Sequence, residues 1–189
     1  MDPFSYLSYL TSIVLALGIT RILTGFGQLV QRRGKTVLYW VHHLWAVNVF
    51  VYLVMNWWIL FRWHTQQQWT FFLFLFVLLS PTIAFLLSVL LFHDTMEDGI
   101  DFKSHYYANH RWFFGLAALL PPIDAVDTLL KGAAHFAAQG AIYPFTLLII
   151  FGLSVAATFS RNERFHKYFA IFFLIYLLAF ISVNLQVLT

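Results

Sequence analysis

Six long apolar runs limit what this chain can fold into more than any other feature of its sequence. A helix needs about 20 residues to cross the ~30 Å hydrocarbon layer of a bilayer, and each run reaches or approaches that length. The runs cover residues 6–29, 37–63, 69–92, 112–130, 134–159 and 168–188. The sequence therefore predicts an all-α, polytopic integral membrane protein in which residues 1–189 form a single domain of six transmembrane helices.

The composition also indicates a chain that is dissolved in lipid. Charged residues make up 10% of the sequence and hydrophobic residues 61%, with a mean hydropathy of +0.76, whereas soluble domains carry about 25% charged residues. The net charge of +3 does not indicate nucleic-acid binding, because the basic residues lie in short loops between apolar runs. The absence of cysteine excludes disulfides, thiolate metal sites and iron–sulfur clusters.

The distribution of basic residues predicts how the chain is oriented. Eight Lys and Arg residues flank the loops after the first, third and fifth runs, whereas the other side has only Arg62 and Lys131. Because cytoplasmic loops are enriched in Lys and Arg, we expect the first set to lie in the cytoplasm and both termini on the non-cytoplasmic side. The expected location is the bacterial cytoplasmic (inner) membrane. The eight residues are Arg32, Arg33, Lys35, Lys103, Arg111, Arg161, Arg164 and Lys167.

The second apolar run carries a polar stripe along one side. At 100° per residue, its polar and aromatic positions fall within about a third of the helix circumference. Polar groups on a membrane helix face protein or water rather than lipid, so we expect this helix to be central, with the stripe turned inward. The stripe consists of His42, Trp45, Asn48, Tyr52 and Asn56.

Two charged residues fall inside apolar runs. Arg21 lies near the middle of the first run, and Asp124 follows Pro121-Pro122 in the fourth. A charge at mid-membrane costs about 2.5–3.5 kcal/mol on insertion scales and must be paired or hydrated. The functional interpretation is a polar path for an ion or solute, with Asp124 as a proton- or cation-coupling carboxylate. The structural alternative is an arginine buried against backbone carbonyls or Asp124.

Neighbouring residues have structural interpretations as well. The glycines Gly18 and Gly25, on the same face as Arg21, are typical of close helix packing. Asp127 is predicted to pair with Lys131 or Arg62 at the outer interface. The two prolines make the fourth run either a kinked helix or a half-helix followed by an interfacial segment.

The fourth run has a second predicted boundary. We expect Asp101 to cap a helix that begins near Phe102 and continues into this run.

Histidines concentrate on the predicted cytoplasmic side and suggest a second kind of site. If the third helix continues past its apolar run, His93 and Glu97 share a face, a spacing that suits a divalent metal. Two imidazoles from facing helices could instead hold haem b. The candidate ligands are His42, His43, His93, Glu97 and His110.

Three functional hypotheses follow. The first is a channel or transporter for an ion or small polar solute. The second is a non-catalytic structural or accessory subunit of a larger membrane complex. The third is a membrane metal- or haem-binding protein that uses the histidines. Beyond the lipid bilayer, the expected partner is a second copy of the chain or a membrane complex, and the sequence lacks the hydrolase and nucleotide-binding motifs typical of enzymes. The first hypothesis places its path along Arg21, Asn48, Tyr52, Asn56 and Asp124.

Overall fold

The computed structural model describes residues 3–93 and 98–185, and these fold into helices, with no strand among them. Helix accounts for 82% of the structure. A 3₁₀ turn at Phe61–Trp63 extends the second helix. The helices are α1 (Pro3–Gln31), α2 (Trp40–Leu60), α3 (Phe71–Leu91), α4 (Phe102–Ala117), α5 (Leu120–Leu130), α6 (Ala133–Ala138), α7 (Ile142–Phe159) and α8 (Glu163–Asn184).

Six of these segments are long and apolar enough to cross a membrane, as the sequence predicts. They are α1, α2 with its 3₁₀ turn, α3, α4 together with α5, α7 and α8. Large apolar side chains on the outside of the bundle are exposed, which is compatible with a lipid environment. The all-α class and the six membrane-length segments are thus confirmed, while membrane insertion and the orientation of the termini stay predictions.

Several helix ends differ from the predicted runs because polar caps extend or end the helices. The fourth segment begins at Phe102, ten residues before its apolar run, and the predicted cap is confirmed, since the Asp101 carboxylate accepts a hydrogen bond from the Lys103 amide (2.9 Å). The amide side chain of Asn162 caps α8 in the same way, so that this helix begins at Glu163, five residues before the predicted start. The fifth run divides at Gly140, whose φ of 80° separates the short α6 from α7.

The two prolines interrupt the regular hydrogen bonding of the fourth segment, which still counts as one membrane-length segment, Phe102–Leu130. Ala118 and Leu119 join α4 to α5 and keep right-handed helical dihedral angles. The Leu119 amide bonds to the Leu116 carbonyl (3.0 Å), a tighter turn than in an α-helix. Because Pro121 and Pro122 have no amide hydrogen, the regular bonding pattern resumes only beyond them. Helical dihedral angles therefore continue from α4 into α5, which favours a kinked helix over a half-helix followed by a separate segment.

Hydrogen bonds between loops define two ends of the bundle. At the basic end, Asp98 lies 2.9 Å from Arg32 and 3.1 Å from Lys35, and so joins the α1–α2 loop to the α3–α4 loop. A hydrogen bond with Lys35, together with the charge of Arg32, holds the pKa of Asp98 below its usual range. At the opposite end, the Arg62 guanidinium donates to the carbonyl of Asn184 near the end of α8 (2.9 Å).

The prediction that α2 is central is confirmed. This helix packs against α1, α3, α4 and α8, and its apolar segment has the largest buried share of the six, 39%. Trp45 lies in its second turn, with its ring centroid 5.1 Å from those of Phe114 and Phe169 and 5.5 Å from that of Phe113. These rings form an aromatic layer that joins α2, α4 and α8.

Candidate functional site

A cavity lies inside the bundle between this aromatic layer and the opposite end. Helices α2, α3, α4, α5, α7 and α8 all contribute to its wall. The cavity has a volume of about 120 Å³. This is several times the roughly 10–15 Å³ that one water molecule requires. The cavity therefore has room for a small organic molecule or several waters. Its polar lining residues are Tyr52, Asn56, Ser80, Asp124, Asp127, Lys131, Ser154 and Tyr176.

A chain of hydroxyl groups fixes the position of Asp124. The Tyr143 hydroxyl donates to Oδ2 of Asp124 (2.8 Å) and lies 2.8 Å from Oγ1 of Thr128. Because the single Tyr143 proton goes to the carboxylate, Thr128 must donate to Tyr143. Buried hydroxyls from α5 and α7 thus hold the carboxylate at the cavity wall in one orientation.

Asp127, one helical turn further along α5, is fully paired. Its carboxylate accepts a hydrogen bond from the Trp63 indole (3.0 Å) and forms an ion pair with Lys131 (2.5 Å). The Lys131 amine also lies 5.0 Å from the Trp63 ring centroid, in cation–π geometry. The predicted pairing of Asp127 with Lys131 is confirmed, and it closes one side of the cavity with a neutral pair.

The charge of Asp124, in contrast, is not balanced by an ion pair within the described part of the chain. The nearest cation on its own helix, Lys131, is bound to Asp127, and Arg62 is hydrogen-bonded to the end of α8. The Tyr143 bond reaches only one of the two carboxylate oxygens. The Asp124 carboxylate is therefore the group in this cavity with unused capacity to bind a cation or a proton.

A second polar group lies across the cavity on α2 and α3. The Asn56 amide donates to Oγ of Ser80 (2.9 Å), and the Tyr52 hydroxyl lies 3.0 Å from the same oxygen. This arrangement orients the Asn56 side chain and leaves its carbonyl oxygen as a hydrogen-bond acceptor. The predicted inward face of α2 thus places Tyr52 and Asn56 in the same cavity as Asp124.

Arg21 and Asn48 do not line this cavity, contrary to the predicted path. The Arg21 guanidinium donates to the carbonyl of Phe92 (2.5 Å), and the Asn48 amide donates to the carbonyl of Ala170 (3.0 Å). Both side chains therefore bond to backbone carbonyls of neighbouring helices, which is the structural alternative for Arg21. A cation in this position also complements the negative end of the α3 dipole.

Two histidines bind the same helix end as Arg21. Nε2 of His42 lies 2.6 Å from the carbonyl of Leu91, and Nε2 of His105 lies 3.2 Å from that of Leu90. Three basic side chains from α1, α2 and α4 thus satisfy successive carbonyls at the C-terminus of α3, which otherwise have no partner within the helix. These histidines have a structural function that their sequence spacing does not reveal.

The predicted metal and haem site gains no support from this geometry. Within residues 3–93 and 98–185, no group of three or more potential ligands could hold a metal ion. His42 and His105 have rings 5.8 Å apart, but each uses Nε2 for a carbonyl. His110 lies in a different cluster, with its ring 6.0 Å from that of His166. His43 bonds to the carbonyl of Tyr39, and the His93 ring lies 4.1 Å from the His105 ring at a tilt of 48°, while Glu97 lies outside the described residues.

Sequence analysis missed the residues that position the candidate site. Thr128, Tyr143 and Ser80 hold the site groups, but each looks like an ordinary hydroxyl residue in an apolar helix. Tyr143 lies 19 residues from Asp124 and meets it only because α5 and α7 pack together. No local spacing could have identified this contact.

The chain was also compared with known proteins. A scan against protein-family models and searches of curated proteins and of solved structures found no match.

Proposed function

We propose that this protein is a membrane carrier for a small amphiphilic monovalent cation, such as a protonated amine or a quaternary ammonium ion with an apolar body. The observation that carries the proposal is the Asp124 carboxylate, which faces an aromatic cavity and has no ion-pair partner among the described residues. An unpaired carboxylate inside a protein is unfavourable unless it binds a cation or a proton.

The walls of the cavity favour an organic cation over a hydrated inorganic ion. Most of the lining is apolar or aromatic, and few groups could replace the water shell of a metal ion. Aromatic faces attract organic cations, and Lys131 over the Trp63 ring illustrates this contact in the wall itself. An amine could also donate to the Asn56 carbonyl oxygen.

The aromatic layer favours a carrier over an open channel. The rings around Trp45 fill the bundle on the side of the cavity that faces the basic end. Passage through this layer requires a conformational change, as in alternating access. We infer further that the basic end faces the cytoplasm, from the bias of Lys and Arg toward that end. The alternative of an accessory subunit stays a prediction.

The proposal can be tested by calorimetric binding of benzyltrimethylammonium to the detergent-purified protein. Replacing Asp124 by Asn keeps the shape and the Tyr143 contact but removes the charge. Loss of one partner of a buried charge pair costs about 2 kcal/mol or more, so we expect affinity to fall by about 30-fold or more. Tyr143→Phe, which only frees the carboxylate to rotate, should weaken binding less.

Asp98→Asn is the matched control, since it makes the same chemical change at an exposed aspartate of the basic end. This variant should bind like the wild type. Equal affinity in the Asp124→Asn and wild-type proteins, or no binding by either, would contradict the proposal. Uptake of the labelled cation into proteoliposomes then separates a carrier from a protein that only binds.

A further inference from the structure

The ion pair of Asp127 with Lys131 closes one side of the cavity, which we call its mouth, and has the composition of a binding site for an ammonium ion. The Lys131 amine contacts the Asp127 carboxylate (2.5 Å) and lies 5.0 Å from the centroid of the Trp63 ring. A carboxylate and an aromatic face are groups that bind organic cations in proteins. The chain thus carries an ammonium group of its own on a site that has the right chemistry for a free one.

The carboxylate and the ring are held in place without the lysine. The Trp63 indole donates to Oδ1 of Asp127 (3.0 Å), whereas Lys131 contacts Oδ2. Trp63 is 3% exposed and packs in an apolar cluster with Leu7, Leu60 and Val77. Because neither the indole bond nor this cluster involves the lysine, the ring and the carboxylate keep their relative position when the amine leaves.

Lys131 occupies a position from which it can leave. It follows α5 as the C-terminal cap residue and precedes Gly132, whose φ of 109° lies in the region that favours glycine. Its four-carbon stem is flexible and can carry the amine toward water from the end of a membrane-length segment. The Asp127 side chain is 20% exposed against 7% for Lys131, so the carboxylate is already accessible beside the amine.

The ion pair also lies between the end of α5 and the inner carboxylate. Asp127 follows Asp124 by three residues, which places it about 4.5 Å nearer the C-terminal end of the helix. Both carboxylates and Trp63 line the same cavity. A cation that moves from Asp124 toward the mouth therefore meets the Asp127 carboxylate and the Trp63 ring next.

We propose that Trp63 and Asp127 form a second, outer site for the organic cation, and that Lys131 is a tethered ammonium that occupies this site until the cation displaces it. The exchange replaces one monovalent cation by another on the same carboxylate, so the net charge at the mouth does not change. Lys131 returns when the cation moves on, and the mouth closes again. This inference rests on the proposed function, since Lys131 gives up the site only to a cation that the cavity takes up.

The outer site also restricts the class of substrate. The displaced group is a monovalent ammonium with an alkyl stem, so the ligand that replaces it has a monovalent ammonium head and an apolar body. A hydrated divalent metal ion does not fit this exchange, because one carboxylate and an aromatic face cannot replace its shell of oxygen ligands.

The test measures calorimetric binding of benzyltrimethylammonium to detergent-purified variants whose inner site is disabled by Asp124→Asn. In this background, Lys131→Met should raise the affinity by about tenfold, because it empties the outer site. Lys131→Gln also removes the ammonium but keeps a hydrogen-bond donor for Asp127, and it should restore binding as well. The matched control is Lys131→Arg, which keeps a cation on Asp127 and should restore none.

Two further changes locate the restored binding within the Asp124→Asn/Lys131→Met variant. Adding Asp127→Asn should abolish it, and adding Trp63→Phe should weaken it by about threefold, since the smaller ring attracts cations less strongly. Trp57→Phe makes the same change at an exposed tryptophan of α2 that is not part of the cavity wall. This control should leave the restored binding unchanged.

The outcomes separate the outer site from the proposed function. If the wild type binds through Asp124 but neither Lys131→Met nor Lys131→Gln restores binding, the outer site is overturned and the proposed function stands. Restored binding that survives Asp127→Asn, or that Trp63→Phe does not weaken, would also overturn the outer site. Binding by the Lys131 variants but not by the wild type would overturn the Asp124 site and support the outer one. No binding by any of these proteins would overturn both.

Discussion

Replacing Gly25 by Ala should destabilise the bundle, because Gly25 of α1 leaves room for the ring of Phe92. A Cβ atom at position 25 would lie 2.6 Å from Cδ1 of Phe92 and closer still to two other ring atoms. The ring has little freedom to move, since its centroid lies 5.6 Å from that of Phe26 and 5.5 Å from that of His42. The added methyl group must therefore displace Phe92, whose carbonyl also binds Arg21.

The expected size of the effect follows from this packing. Overpacking a filled core typically lowers the free energy of unfolding by 1–3 kcal/mol. Because the neighbours of Phe92 are rigid, we expect Gly25→Ala to lower it by about 2–3 kcal/mol. In a chain of this length, each kcal/mol shifts Tm by roughly 2–4 °C, so Tm should fall by about 4–12 °C. The seven tryptophans provide an intrinsic fluorescence signal for thermal unfolding in detergent.

Gly27→Ala provides the control, since a Cβ atom there meets no other atom within 4 Å. It makes the same change two residues away and should leave Tm unchanged or slightly higher, because Ala is the better helix former. Phe92→Leu in the Gly25→Ala background should recover part of the lost stability by making room. Equal Tm values for the two alanine variants would refute the packing argument, and so would a double variant less stable than Gly25→Ala.

Two further predictions concern charge. Lys131→Met leaves Asp127 without its ion-pair partner, as a second carboxylate beside Asp124. Calorimetry should therefore show that benzyltrimethylammonium binds about tenfold more tightly, a gain of ~1.4 kcal/mol in binding free energy. The control Lys131→Arg keeps the cation and should bind like the wild type. The lowered pKa of Asp98 means that its contact with Lys35 stabilises the fold above the ordinary carboxyl pKa and is lost as the pH falls through the lowered value. The Tm of the wild type should therefore fall as the pH drops through this range, and the Tm of Asp98→Asn should fall less. An equal fall in Tm for the two proteins would contradict the stabilising contribution of Asp98.

Much of the fold could be predicted because long apolar helices are encoded locally. The apolar runs identified the six spans, and the polar stripe on α2 identified the buried face of the central helix. Asp101 showed where α4 begins, since its side chain bonds to an amide only two residues away. In each case, the residues that determine the feature lie within a few turns of one another.

The candidate site could be predicted only in part. Sequence alone selected Asp124, Asn56 and Tyr52 as polar groups that must avoid lipid, and all three line one cavity. It also grouped Arg21 with them, because any charge within an apolar run looks functional. Arg21 instead bonds to the carbonyl of Phe92, which is 71 positions away in the chain.

The sequence by itself determined that this chain forms six apolar helices, which polar groups they carry and at which end the basic residues gather. Hydropathy and periodicity are local properties, so they can be recognised from the sequence without a structure. Only the tertiary structure decided which polar groups meet. The packing of α5 against α7 brings Tyr143 to Asp124, and the ion pair of Lys131 with Asp127 leaves Asp124 unbalanced. Partners that are distant in sequence, and the space left between their helices, turn a polar residue into a site.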